Sequence, residues 1–265
     1  IPLSRDKDEE VITQFSKDHV ESLGLLKIDF LGLKTLSVID TTIKLIKKFK
    51  GQDIDIEKIP LDDKETFNLL SKGSTIGVFQ LESKGMRELA KNIALSSIED
   101  LMDMIALYRP GPMQFINDFI DCKIGRKKVT YPHPKLEPIL SKTYGFLVYQ
   151  EQVQQAAQIL AGFSLSEGDI LRRAMGKKKP EEMAKQREKF IEGCKKTSDI
   201  SKEKAEEIFN VIAKFAEYGF NKAHSAGYAL LAYQTAYLKA HFPQEFMSAL
   251  ISSEFGDYEH MAILI

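Results

Sequence analysis

Three stretches of this sequence carry side chains whose types and spacing could do chemistry. Asp29 stands within Leu25-Leu26-Lys27-Ile28-Asp29-Phe30-Leu31, where positions 26, 28 and 30 are apolar. A carboxylate inside an apolar strand is costly to bury unless it is paired or bound to a metal. By alternation alone it could equally share a solvent-facing edge with Lys27. One carboxylate also cannot hold the metal pair that in-line phosphoryl transfer uses.

The second stretch, 171–180, holds Arg172, Arg173, Lys177, Lys178 and Lys179, five cations within eight residues and no acid among them. Forked guanidinium groups and mobile ammonium charges suit a triphosphate or a phosphodiester backbone. The glycine spacing and following Ser/Thr of a Walker loop are missing. The competing reading is a solvated turn paired with Glu181 and Glu182. The third stretch, 219–229, packs Asn221, Lys222, His224 and Ser225 around an expected helix start, where N–H groups and the helix dipole favour an anion. Asn221 could instead be an N-cap and nothing more, and His224 a structural side chain. The small residues Ala226, Gly227 and Ala229 predict close approach by another helix or a ligand. Two weaker candidates are Arg109, ahead of the rigid turn Pro110-Gly111-Pro112, and the pair Tyr149 and Gln150. Tyr149 could stack on a base or sugar, or lie in the core.

The elements that must position these groups are mostly helical. Residues 1–34 read as the remainder of a sheet, with a strand through 25–31 that Gly32 ends. Acidic Asp6, Asp8, Glu9 and Glu10 fall in a polar stretch without strand alternation. From Lys34 the period changes: Leu36, Ile39, Ile43, Ile46 and Phe49 follow three- and four-residue steps up to Gly51. Asp62 with Glu65 predicts the N-cap of a helix that Gly73 closes. Ser96 or Ser97 opens another, which Pro110-Gly111-Pro112 ends. The apolar run 146–149 precedes a helix over 150–161, and Ser164 with Glu167 forms a capping-box spacing. Pro180 starts a long charged helix and Ser201 the next, which Gly219 ends. Helices over 223–241 and 243–253 complete the series of about ten. The fold class expected is mainly α, with a short β-containing remnant at the start.

The 265 residues are 43% hydrophobic, enough for a sizeable core and unlike a disordered tail. A formal net charge of −1 gives no global basic field, so any nucleic-acid contact must come from local patches. Cys122 and Cys194 lack CxxC or Cys/His spacing and read as reduced thiols of a cytosolic protein. No apolar run approaches the ~20 residues of a membrane helix. The start on Ile1-Pro2-Leu3 and the apolar finish at Ile265 suggest a piece of a longer chain.

Together these stretches resemble the C-family bacterial replicative polymerases, the DNA polymerase III α subunits. The resemblance is carried by 27–33, 77–86, 106–112, 144–153, 171–187 and 219–229 with Tyr233-Gln234, in family order, and runs from about residue 11 to 254. It implies the end of a nucleotidyltransferase-like palm over 1–34, then an incomplete helical fingers domain over 35–265. Asp29 then matches the palm's third catalytic aspartate, one of three that hold two Mg²⁺ ions. Arg172, Arg173, Lys177, Lys178, Lys179, Asn221, Lys222, His224 and Ser225 match segments lining the nucleotide pocket, with Tyr149, Gln150 and Arg109 as further candidates. The implied activity is templated addition of dNTPs to a primer 3′-hydroxyl. The implied partners are primer–template DNA, dNTP, and a sliding clamp and other replicase subunits reached through regions outside this chain. The fragment alone is expected to be inactive. Two other readings stay open: a non-catalytic helical module that binds nucleic acid or subunits, and an error-prone paralogue of the same family.

Overall fold

The computed structural model describes all residues except 27, 29–31, 178, 179 and 217, and the backbone alone at 177 and 180. It divides into two compact units, Ile1–Lys34 and Thr35–Ile265.

In the first unit, β1 (Leu3–Arg5) and β2 (Val11–Thr13) pair antiparallel, Leu3 opposite Thr13. The acidic stretch expected to be irregular is the turn between them. Asp6 Oδ1 accepts from the Asp8 and Glu10 amides at 2.9 Å, a local side-chain bond that reverses the chain. Strands of three residues are too short for alternation to reveal. A short helix, α1 (Lys17–Ser22), follows. Much of the strand expected over 25–31 lies outside the described residues; Leu25 and Leu26 have no regular structure, and Leu26 is 83% exposed. Asp29 also lies outside the described residues.

The second unit is built of helices: α2 (Lys34–Lys50), α3 (Lys64–Ser71), α4 (Lys84–Asn92), α5 (Ile98–Leu107), α6 (Ile116–Lys123) and α7 (Glu137–Leu140). They continue as α8 (Gln150–Ala161), α9 (Leu165–Lys177), α10 (Pro180–Ser198), α11 (Lys202–Ala216), α12 (Lys222–His241), α13 (Pro243–Ser253) and α14 (Tyr258–Leu264). Most boundaries follow the expected caps. Ser97 and Asp100 close a capping box on α5, and Ser164 with Glu167 caps α9 by reciprocal bonds of 3.3 and 2.7 Å. The cap of α3 is Asp63 rather than Asp62; its carboxylate accepts from the Thr66 amide at 2.8 Å. On α2 the buried side chains are Val38, Ile39, Thr42 and Ile46, while Leu36 and Phe49 are 54% and 67% exposed. The expected apolar face is therefore rotated, because neighbours from α12 and α13 choose which stripe is covered.

Helix α12 organises the unit. It carries little one-sided amphipathicity because it is packed on several sides, against α3, α5 and α13. Its buried polar groups fasten neighbouring loops. The Tyr233 hydroxyl donates to Pro60 O at 2.6 Å and accepts from the Asp63 amide at 3.0 Å. The Thr235 hydroxyl accepts from the Phe79 amide at 3.1 Å. Ala229, Ala232 and Ala236 are buried, as close approach requires, whereas Gly227 is exposed with open space where a Cβ would stand. A second core joins α8, α9, α10 and α11 around Leu160, Phe190 and Ile208. There Gly193 of α10 lies so close to α8 that an added Cβ would meet Ala161 O at 2.2 Å. Cys122 and Cys194 are buried free thiols; burial pushes Cys194 up to about 11 and Cys122 upward too.

Candidate functional site

Four segments distant in sequence meet where the extended residues before α8 touch the loop before α12. Tyr149 and Phe220 form a parallel bridge, with the Gln150 amide donating to Phe220 O at 2.9 Å and the Phe220 amide to Val148 O at 3.0 Å. Gln150 extends this junction through its side chain. Its Nε2 donates to Gly219 O at 3.2 Å, and its Oε1 accepts from Arg172 Nη1 at 3.2 Å.

Arg172 and Arg173 are both anchored on Asp169, at 2.8 and 2.7 Å. The hydrogen bond from Arg172, then burial working the other way and the two cationic charges, leave the Asp169 carboxyl below its usual range. These arginines therefore pair upstream, not with Glu181 or Glu182 as the solvated-turn reading supposes. Arg173 stays 66% exposed while Arg172 is largely covered. The Lys177 side chain, Lys178 and Lys179 lie outside the described residues.

Arg109 joins the junction from the other side. Its Nη2 donates to Tyr218 O at 2.7 Å and its Nε to Ala106 O at 2.9 Å. The guanidinium carbon lies 4.4 Å from the centre of the Phe220 ring, a cation–π contact. Partial burial lowers its proton affinity from the ordinary value. The adjoining turn needs Gly111: at φ +100°, with the Tyr218 ring 2.3 Å from any added Cβ, a side chain has neither the backbone conformation nor the room.

From Phe220 a row of rings continues along α12. His224 lies 5.5 Å from Phe220 and 4.2 Å from Tyr228, and Tyr228 lies 5.2 Å from Phe79. Arg109, Phe220, His224 and Tyr228, with Tyr108 and Ser83, border an open recess of about 420 Å³. Apolar and aromatic walls with a few polar groups are the ordinary make-up of a small-molecule site.

The start of α12 is arranged differently from the sequence expectation. Asn221 is the N-cap, its Oδ1 accepting from the His224 amide at 2.8 Å. The anion attracted there is supplied by the chain itself: Glu151 accepts from the Lys222 amide and from Asn221 Nδ2, each at 3.1 Å. Lys222 carries its ammonium 5.7 Å from the Tyr149 ring centre. Asn221, Lys222 and His224 are exposed. Ser225 and Tyr149 are turned inward: the Ser225 hydroxyl donates to Met102 O at 2.7 Å, and Tyr149 is 3% exposed, so its ring is not offered for stacking.

Sequence reasoning missed Asp103. It is buried, and its Oδ1 accepts from the Tyr149 hydroxyl at 2.5 Å. Burial, set against the Tyr149 hydrogen bond and reinforced by Asp100, raises its carboxyl to about 7. The signal was available: an acid enclosed by Leu101, Met102, Met104 and Ile105. Its neighbour Asp100 is buried against Lys123. For metals, the set found among the described residues is Glu254, Asp257 and His260, with donor atoms within 4.8 Å of one another. Asp257 already caps α14 there, and a His-containing set does not suit an ion that prefers oxygen ligands.

Comparison with known proteins agrees with the resemblance. The chain is 52% identical to the DNA polymerase III subunit alpha of Pseudomonas fluorescens over 266 residues, covering 96% of the chain. The Caulobacter vibrioides subunit is 52% identical over 99% of the chain, and the Escherichia coli K12 subunit 48% identical over all of it. The chain spans about a quarter of the length of these curated relatives, 23–24%. Residues 35–198, most of the helical unit, match the family described as the bacterial DNA polymerase III alpha subunit finger domain, and the chain belongs to that family.

Proposed function

We propose that this chain is the nucleotide-gripping part of a bacterial replicative DNA polymerase, with residues 1–34 the end of the palm and 35–265 the fingers. The observation that carries this reading is the convergence of Arg109, Arg172, Phe220 and His224 on the single backbone junction between Tyr149 and Phe220. An incoming dNTP needs cations for its triphosphate and a flat apolar surface for its sugar and base. Arg172 and Arg173 supply the first, and the ring row beside Arg109 the second. Binding there orients the reacting phosphoryl group, while pairing with the template chooses the base. Lys177, Lys178 and Lys179 extend the same cationic stretch in the sequence.

Asp29 would be one ligand of a Mg²⁺ pair, whose chemistry when bound is to activate the primer hydroxyl and stabilise charge on the transferred phosphoryl group. The other ligands, most of the DNA cleft, and contacts to a sliding clamp and other replicase subunits would belong to other parts of the subunit, acting in the cytoplasm. Among the described residues no helix is long and apolar enough to cross a membrane.

The test is steady-state incorporation by the full-length subunit on primer–template DNA. Arg172→Ala should raise the apparent KM for dNTP by about tenfold, the loss of one charge-assisted contact. An unchanged KM with weakened DNA binding would move Arg172 to the primer–template and overturn the assignment.

A further inference from the structure

Helix α5 grips the start of α12 at two adjacent points. One is direct, the Ser225 hydroxyl on Met102 O at 2.7 Å. The other runs through a side chain: Asp103 accepts from the Tyr149 hydroxyl at 2.5 Å, and the residues on either side of Tyr149, Val148 and Gln150, are bonded to the Phe220 backbone. Lys222 then lays its ammonium over the same Tyr149 ring. A buried carboxylate is costly unless hydrogen-bonded, and an apolar residue would fill this position more cheaply if packing were all that it did. Asp103 and Tyr149 also line, with Lys222 and Glu151, an open recess of about 280 Å³.

We infer that Asp103 is a positioning residue for nucleotide binding: by holding Tyr149 it fixes the start of α12, on which Asn221, Lys222 and His224 stand. This rests on the nucleotide reading given above. The ionisable groups facing Asp103 are Tyr149 ahead of α8, Lys222 of α12, Lys123 of α6, and Tyr144, with Asp100 on its own helix. Glu99, Lys142 and Glu151 line the recess beside it. The carboxyl gains its charge as pH rises through about 7. The charged form accepts a stronger bond from Tyr149 and attracts Lys222, which fixes the geometry of the α12 start on the alkaline side even though burying that charge lowers the stability of the fold as a whole.

The experiment measures kcat and KM for dNTP between pH 6 and 9 on the full-length subunit with primer–template DNA. It compares the wild type with Asp103→Asn and Tyr149→Phe. The wild-type KM should fall about threefold from pH 6 to 8 as the charged hydrogen bond forms. Asp103→Asn keeps an acceptor for Tyr149 but cannot ionise, so its KM should stay at the acid-side value throughout while kcat follows the wild type. Tyr149→Phe should show the same flat, raised KM. Superimposable KM profiles for wild type and Asp103→Asn, or a change confined to kcat, would overturn the inference. Arg172→Ala in the same assay separates the two levels. If it raises KM while Asp103→Asn tracks the wild type, only the positioning role fails; if it leaves KM unchanged, the nucleotide reading itself fails.

Discussion

At the scale of single residues, Asp103 shows how one enclosed carboxyl links the site to stability. Its raised proton affinity means that the folded chain holds this proton up to about pH 7, whereas the unfolded chain releases it near the ordinary value of 3.8. Its contribution to stability is therefore complete at acid pH and is lost as pH rises across that window, at about 1.4 kcal/mol per pH unit. Asp103→Asn removes the dependence. Thermal melts should place the variant close to the wild type near pH 4 and above it at pH 8; a constant gap at both values would refute the assignment. Arginines 172 and 173 teach the opposite lesson. Their charge is plain in the sequence, whereas their partner Asp169 sits one turn away on the same helix, outside the cationic run itself. The metal-ligand role proposed for Asp29 rests on its sequence segment alone, because Asp29 lies outside the described residues. In the full-length subunit Asp29→Asn should abolish incorporation and leave DNA binding largely intact. Near-normal turnover would remove Asp29 from the metal site.

At the scale of elements, what was legible was what local hydrogen bonding decides. Ser97, Ser164 with Glu167, and Asn221 begin helices because their side chains satisfy N–H groups a few residues on, and that chemistry lies within a four-residue window. Which face of a helix is buried was less legible, as Leu36 and Phe49 show, because it depends on partners up to two hundred residues away. The glycines divide in the same manner. Gly193 sits at the crossing of α8 and α10, where Gly193→Ala must push α10 away from Ala161 O. That change should cost about 1–3 kcal/mol, the usual toll of overpacking, read as a lower denaturation midpoint. Gly227 has open space instead, so Gly227→Ala within α12 should stabilise by about 0.5–1 kcal/mol through helix propensity. If that stabilised variant also raises the KM for dNTP, a ligand does approach Gly227 closely, as its small size suggested.

At the scale of the whole molecule, the helical class was readable from periodicity, whereas the gathering of 103–109, 149–152, 169–173 and 218–228 was not. Nothing within any of those stretches says that one peptide bridge will bring them together. The resemblance implied a shared nucleotide-binding role for parts of these stretches, and the structure brings the stretches together. The near-zero net charge also fits this arrangement, since the cations are concentrated locally and partly balanced by Asp169 and Glu151. Primer extension by the isolated 265-residue chain should be undetectable with Mg²⁺ present. Activity from the fragment alone would mean that other carboxylates within it complete a metal pair.

The placement of α12 also governs the order in which this unit can be assembled. Its hydroxyl at Ser225 closes on a carbonyl 123 positions earlier, and Tyr233 on one 173 positions earlier. Contacts of such separation form slowly, because the loop entropy is lost before they give anything back. During synthesis from the N-terminus, helices α3 and α5 emerge with their principal packing partner still untranslated. Their apolar faces stay uncovered until α12 leaves the ribosome, so this stretch is where a chaperone would be needed. Truncation just before Asn221 should leave an aggregation-prone chain even though most of its helices are already present.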